Sequence, residues 1–211
     1  EAAKSNDALF YPIIPGDGVN SWKKLKEVVS QQFKSGTYAG AAMQEALDAF
    51  DSVLQEDGRF KMNPPLRSKE DREALVAGIV DGTIDMIATD HAPHSKEEKS
   101  RGLEGSAFGI VGLETAFPVL YTDLVKKGVM TLEQLIKLMS ENPSKRFDLN
   151  IEIKEGNKAN LTVFDLDNEY EIDASNFKSM GKCTPFNHKK VYGKCLMNFC
   201  KGELVYKSQK N

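Results

Sequence analysis

Ile84-Asp85-Met86-Ile87-Ala88-Thr89-Asp90-His91-Ala92-Pro93-His94 decides the reading of this chain. It opens as a short apolar run that suits a fully buried strand. It closes on Asp90, His91 and His94, and Pro93 forbids a regular continuation. A buried strand that delivers a carboxylate and two imidazoles at its C-terminal end is how α/β barrels build active sites. Asp90 is then a candidate metal ligand or proton acceptor, and His94 a candidate partner for an anionic substrate group. A plainer reading stands beside this one: Asp90 caps a turn and the histidines are surface loop residues.

Upstream, Arg59-Phe60-Lys61-Met62-Asn63-Pro64-Pro65-Leu66-Arg67 reads as a strand end halted by two prolines. A residue before proline is pushed out of the helical region, so Asn63 ends an extended segment. There its amide could donate and accept to a planar substrate edge, or simply make an Asn-Pro turn. Ser68 is placed to cap a helix from Lys69 to about Val80, with Gly82 past its end. Strand, loop, helix and strand over 59–90 make a βαβ unit with both loops on one face.

Downstream, a charged loop over 95–104 leads to Gly105-Ser106-Ala107-Phe108-Gly109-Ile110-Val111-Gly112-Leu113-Glu114-Thr115. Its glycines either let backbone approach a small polar ligand or mark a flexible entry to the next helix. That helix runs from Leu113 to about Lys127, interrupted or kinked by Pro118. Thr131 caps another, with Leu132, Leu135, Ile136 and Met139 on its buried face, ended by Asn142-Pro143. The tail alternates like strands at 159–166 and 191–199, with a hairpin turn at Lys201-Gly202-Glu203. The expected organisation is therefore α/β: residues 1–57 an unassigned helical segment, 58–150 an α/β body, and 151–211 a small β module.

Composition narrows the partners. A net charge of −3 and a pI near 5.7 give no reason to expect nucleic acid or an anionic membrane. No apolar run reaches membrane-spanning length, and no signal peptide opens the chain, which begins at Glu1. Cys183, Cys195 and Cys200 are odd in number and lack zinc-ribbon spacing, so they read as reduced thiols in a cytoplasmic protein.

Five segments in order now carry a resemblance: Lys61–Arg67, Asp81–Asp85, Ala88–His94, Phe108–Thr115 and Gly181-Lys182-Cys183-Thr184-Pro185-Phe186. Together they resemble the C-terminal part of bacterial type I dihydroorotases, in the amidohydrolase superfamily. The resemblance implies a (β/α)₈ barrel with a zinc centre at its C-terminal face and a small β domain. It implies interconversion of dihydroorotate and N-carbamoyl-L-aspartate in pyrimidine biosynthesis. Matched residue by residue, Asp90 takes the place of the zinc-binding aspartate that shuttles a proton. Asn63 and His94 match substrate-binding positions, and Phe108 and Gly109 a backbone substrate contact; His91 carries no role.

The departures are as informative. The chain has three histidines (His91, His94, His188) and no His-x-His pair, and its 211 residues fall short of the ~250 usual for this barrel. One carboxylate is not a zinc site, because zinc takes three or four protein ligands. The expectation is a partial barrel, inactive alone: a fragment, a fusion of a foreign N-terminal segment over 1–57 to a dihydroorotase C-terminus, or one piece of an assembly completed by another copy or a partner chain. Two other readings stand: a non-catalytic structural partner of another enzyme, and a cyclic amidohydrolase of hydantoinase or allantoinase type.

Overall fold

The computed structural model describes residues 57–63, 66, 69–149 and 152–208. The helices read before residue 57, the Ser68 cap and the double proline lie outside the described residues. Helix α1 (Lys69–Asp81) carries Glu70 and Asp71 in its first turn, where the positive end of the helix dipole favours them. It stops at Gly82, whose φ of 84° is cheap only for a residue without Cβ. Leu75 and Ile79, one turn apart, are buried on its inner face.

Residues 84–90 follow as extended chain rather than as a laddered strand. Ile84 and Ile87 are buried against the helices, and the Ile87 N–H donates to the Leu138 carbonyl at 3.0 Å. Among the described residues parallel pairing appears once, as a bridge between His91 and Ile110. A barrel strand needs a neighbour along its length, and among the described residues only this bridge supplies one. The strand end expected at 59–63 is also different. Gly58–Phe60 form a 3₁₀ turn because the Asp57 carboxylate caps the Arg59 N–H at 2.8 Å, and only then does the chain extend.

The charged loop after His94 holds two short helices, α2 (Lys96–Lys99) and α3 (Gly102–Gly105). Ser95 and Glu98 cap the first reciprocally. Helix α4 (Ala116–Leu120) runs on as a π-helical turn, Tyr121–Val125. Pro118 does not break it, since it stands in the first turn, where its N–H has no intrahelical partner to lose. Helix α5 (Leu132–Ile136) starts at a Thr131–Gln134 capping box. It passes through a π-helical turn, Lys137–Glu141, into α6 (Asn142–Phe147). Asn142-Pro143 therefore continues the helical path rather than ending it. The wide turn before Pro143 makes room for a ring that a regular helix would reject.

The tail forms two antiparallel sheets. One has strand order β1-β4-β5, with β1 Leu161–Asp165, β4 Lys194–Cys200 and β5 Glu203–Lys207; the other pairs β2 (Tyr170–Glu171) with β3 (Lys190–Val191). The strand expected over 191–199 is split at Gly193. That residue has φ 89°, and a Cβ there would lie 2.9 Å from the Phe117 ring. The β4–β5 turn uses Lys201 and Gly202, both at positive φ, as a two-residue hairpin of the right twist requires.

Sheet and helices share a core. Phe164 of β1 stacks on Phe117 of α4 with ring centroids 3.8 Å apart, beside buried Leu120, Leu124 and Leu135. A second core of Ile110, Val119, Ile172, Phe186 and Val191 joins the Phe108–Thr115 segment to the late Gly181–Phe186 segment. The buried Asp123 carboxylate ties the two regions: Oδ1 lies 3.0 Å from Lys127 Nζ and Oδ2 2.8 Å from Lys189 Nζ. No helix among the described residues is long and apolar enough to cross a membrane.

Candidate active site

Residues 109–111 are the hub of the candidate site. The Gly109 N–H donates to the Lys61 carbonyl, the Ile110 carbonyl accepts from the Ala92 N–H, and the Val111 N–H donates to the Cys183 carbonyl, each at 3.0 Å. One short extended segment thus fastens the ends of the 61–63, 90–94 and 181–183 segments together. Gly109 has to be glycine: its φ is 123°, and a Cβ would come within 2.5 Å of the Ala92 Cβ.

Asp90 is exposed and sits at φ 43°, a left-handed conformation. Asp tolerates this better than most residues, but it still costs energy, and such strain gathers at functional positions. His94 stands four residues on. Its Nε2 donates to the Phe108 carbonyl at 2.8 Å, which requires the proton on Nε2. Its Nδ1 faces the Glu98 carboxylate at 3.5 Å, an ion pair only when the ring carries both protons. Asn63 is exposed two residues beyond Lys61, and the exposed Phe108 ring lies under the Lys61 ammonium at 4.5 Å. The structure therefore joins His94, Phe108 and Gly109 by direct contact. It sets Asn63 and Asp90 each two residues from a hydrogen bond to the same segment.

Residues without an assigned role complete the frame. Lys99 is buried, and its ammonium donates to the Lys61 carbonyl at 2.9 Å and the Ala107 carbonyl at 2.7 Å. Burial pulls its pKa below the ordinary lysine value. Nothing in Lys-Glu-Glu-Lys-Ser-Arg distinguishes this lysine from its solvated neighbours, so the sequence held no signal for it.

His91, Ser179 and Glu114 form a second cluster. His91 Nδ1 accepts from the Gly112 and Leu113 N–H groups at 3.1 and 3.2 Å, which puts the neutral ring's proton on Nε2. Nε2 lies 3.4 Å from Ser179 Oγ, and that hydroxyl donates to Glu114 Oε1 at 2.6 Å. Burial raises the Glu114 carboxyl. Hydrogen bonds from the Ser179 hydroxyl and from the Lys178 and Ser179 N–H groups more than offset this, so its pKa lies below the ordinary value. These are the residue types of a serine-hydrolase triad wired in the wrong order. The imidazole donates to the serine instead of taking its proton, and the carboxylate is a weakened base.

A cavity of about 790 Å³ opens beside His94, walled by Lys96, Lys99, Met180, Gly181, Lys182 and Cys183 among others. Among the described residues no three His, Cys, Asp or Glu side chains converge as metal ligands. Asp90 does not have the company that zinc needs, so these residues by themselves do not fit a zinc centre. The purified chain, dialysed and analysed by atomic absorption, is expected to hold less than about one zinc ion per chain. Two tightly held ions would contradict this.

Residues 34–205 match the amidohydrolase family. The chain belongs to that family. The match covers the hub, both clusters and most of the β module, and reaches back into the segment before residue 57. Over 160 residues the chain is 53% identical to a dihydroorotase of Bacillus cereus and 52% to one of Bacillus thuringiensis, covering 75% of this chain and 37% of each relative. It thus spans little more than a third of the length of these curated relatives. Among solved structures, the L-hydantoinase (dihydropyrimidinase) of Arthrobacter aurescens superposes with a TM-score of 0.65 at 33% identity, over 71% of this chain and 35% of that one. Family and neighbour together imply a (β/α) barrel fold, and no closed barrel forms among the described residues.

Proposed function

We propose that this chain carries part of the active site of a dihydroorotase-type cyclic amide hydrolase acting on dihydroorotate and N-carbamoyl-L-aspartate in the cytoplasm. The single observation behind this reading is the hub at Gly109–Val111. It holds the two extended segments that bear Asn63 and Asp90, and His94 is fastened to it through Phe108. In this reading 58–150 is the barrel portion, 151–211 the β module, and residues other than those described complete the site. The 53% identity to bacterial dihydroorotases supports the choice of substrate.

Asp90 takes a proton from water as the water oxygen adds to the ring carbonyl carbon. The C–N bond then breaks, and the same proton passes to the departing nitrogen. His94 binds the substrate carboxylate through Nδ1, the nitrogen left over from the Nε2 bond to Phe108, which faces the Glu98 carboxylate at 3.5 Å. Asn63 pairs with the planar amide edge, and the Phe108–Gly109 backbone lines the opposite side.

Purified protein supplied with dihydroorotate and, separately, with hydantoin and dihydrouracil tests the reading. Turnover of dihydroorotate alone supports it. Turnover of hydantoin alone moves the assignment to the hydantoinase type, the reading favoured by the L-hydantoinase likeness. Binding of dihydroorotate without turnover, persisting when the rest of the site is supplied in a full-length chain or reconstituted complex, points to a non-catalytic structural partner. In an active preparation His94→Ala should raise KM roughly 10- to 100-fold, the worth of a charge-assisted hydrogen bond, with little change in kcat. A fall in kcat at unchanged KM would remove His94 from substrate binding.

A further inference from the structure

We infer that Glu114, Ser179 and His91 are positioning residues that latch the 177–183 loop against the extended segment bearing Asp90 and so fix one wall of the cavity beside His94. The latch itself rests on geometry alone; its bearing on catalysis rests on the hydrolase reading above.

Glu114 takes three hydrogen bonds from this loop, from Lys178 N–H at 2.7 Å, Ser179 N–H at 2.9 Å and Ser179 Oγ at 2.6 Å. Both its oxygens are used, so it holds backbone and side chain together. Ser179 then hands the restraint to His91 Nε2, whose other nitrogen is pinned by two backbone N–H groups of the 112–113 turn. His91 is the residue after Asp90, so a shift of the loop is felt next to the proposed proton acceptor.

The loop also bears directly on His94. A Cβ added at Gly181 would come within 2.4 Å of the His94 carbonyl oxygen and 2.7 Å of its nitrogen, so the two backbones lie in contact. The next residues, Lys182 and Cys183, wall the cavity beside His94, and the Cys183 carbonyl is bonded to Val111 of the hub. Met180, between Ser179 and Gly181, is 98% exposed, an unbranched apolar side chain that lines the cavity on an anchored backbone. An anchor of this strength under a loop with such an exposed side chain fits a wall that meets ligand, because a loop with no task needs no four-point restraint.

The test uses Ser179→Ala, Ser179→Thr and Glu114→Gln in the full chain, with two readouts that need no activity. Lys178 and Lys182 flank the latch and are exposed, so trypsin reports loop opening. Ser179→Ala and Glu114→Gln are expected to speed cleavage there roughly tenfold, and Ser179→Thr, which keeps the hydroxyl, to restore protection. Nitrogen NMR of the His91 ring should show a proton on Nε2 in the native chain and a changed Nε2 signal in Ser179→Ala. Where the protein turns over substrate, Ser179→Ala should raise KM more than it lowers kcat. Unchanged cleavage together with an unchanged His91 ring would overturn the latch. Both readouts changing establishes the latch whether or not substrate is turned over, and turnover bears on the hydrolase reading alone.

Discussion

Asp90→Asn is expected to reduce turnover of dihydroorotate by ~10²–10⁴-fold, the usual loss when a general base is removed. The amide is nearly isosteric, keeps hydrogen-bonding capacity and tolerates positive φ as well as aspartate does. The fold and the hydrogen bonds at Gly109–Val111 should therefore survive, and the loss should fall on kcat. Steady-state kinetics beside a far-UV spectrum checks both halves. A variant that kept most of its activity would remove Asp90 from the proton transfer and leave the non-catalytic reading. Asn63→Ala, which loses only a neutral hydrogen bond, should be far milder.

The largest stability effect is expected at Asp123. Its carboxylate is 4% exposed, and Oδ2 is shut off from solvent and depends on the Lys189 ammonium 2.8 Å away. Asp123→Ala removes the buried carboxylate from its pair with a half-buried ammonium, and breaking a buried pair from one side costs about 3–5 kcal/mol. The second partner, Lys127, is exposed and should contribute little. Urea denaturation measures the difference. Replacing both members, Asp123→Leu with Lys189→Met, should recover much of the loss, because exchanging a whole buried pair for apolar side chains costs far less than breaking it from one side. A single-variant loss below about 1 kcal/mol would show that water reaches Lys189 readily.

The sequence made the helices legible where local chemistry dictates them. Thr131 with Gln134, and Gly82 after α1, are read directly because caps are local. The hairpin at Lys201-Gly202 is legible for the same reason. Pro118 and Pro143 misled in the same direction: each marks a break on propensity alone, but position in a first turn and a widened turn before the ring absorb them. The extended segment at 84–90 could be read as a strand because its apolar run invites it, and the one ending at Asn63 because the prolines after it forbid a helix. Laddering, however, depends on neighbours far away in sequence.

The candidate site was legible through short-range strings, Ala88–His94 and Phe108–Gly109. Lys99, Ser179 and Glu114 were not, because their roles arise from contacts to residues 38, 88 and 64 positions away. No local pattern encodes such distances.

The buried Lys99 has a consequence for solution conditions. Most ion pairs among the described residues lie at the surface, such as Lys137 with Glu133 at 2.8 Å, and counter-ions at high ionic strength dissolve interactions of that kind. Lys99 is held by two carbonyl dipoles in a place that counter-ions do not enter. The junction between Lys61 and Ala107, and with it the spacing of Asn63 and Phe108, is thereby insulated from salt while the periphery is not.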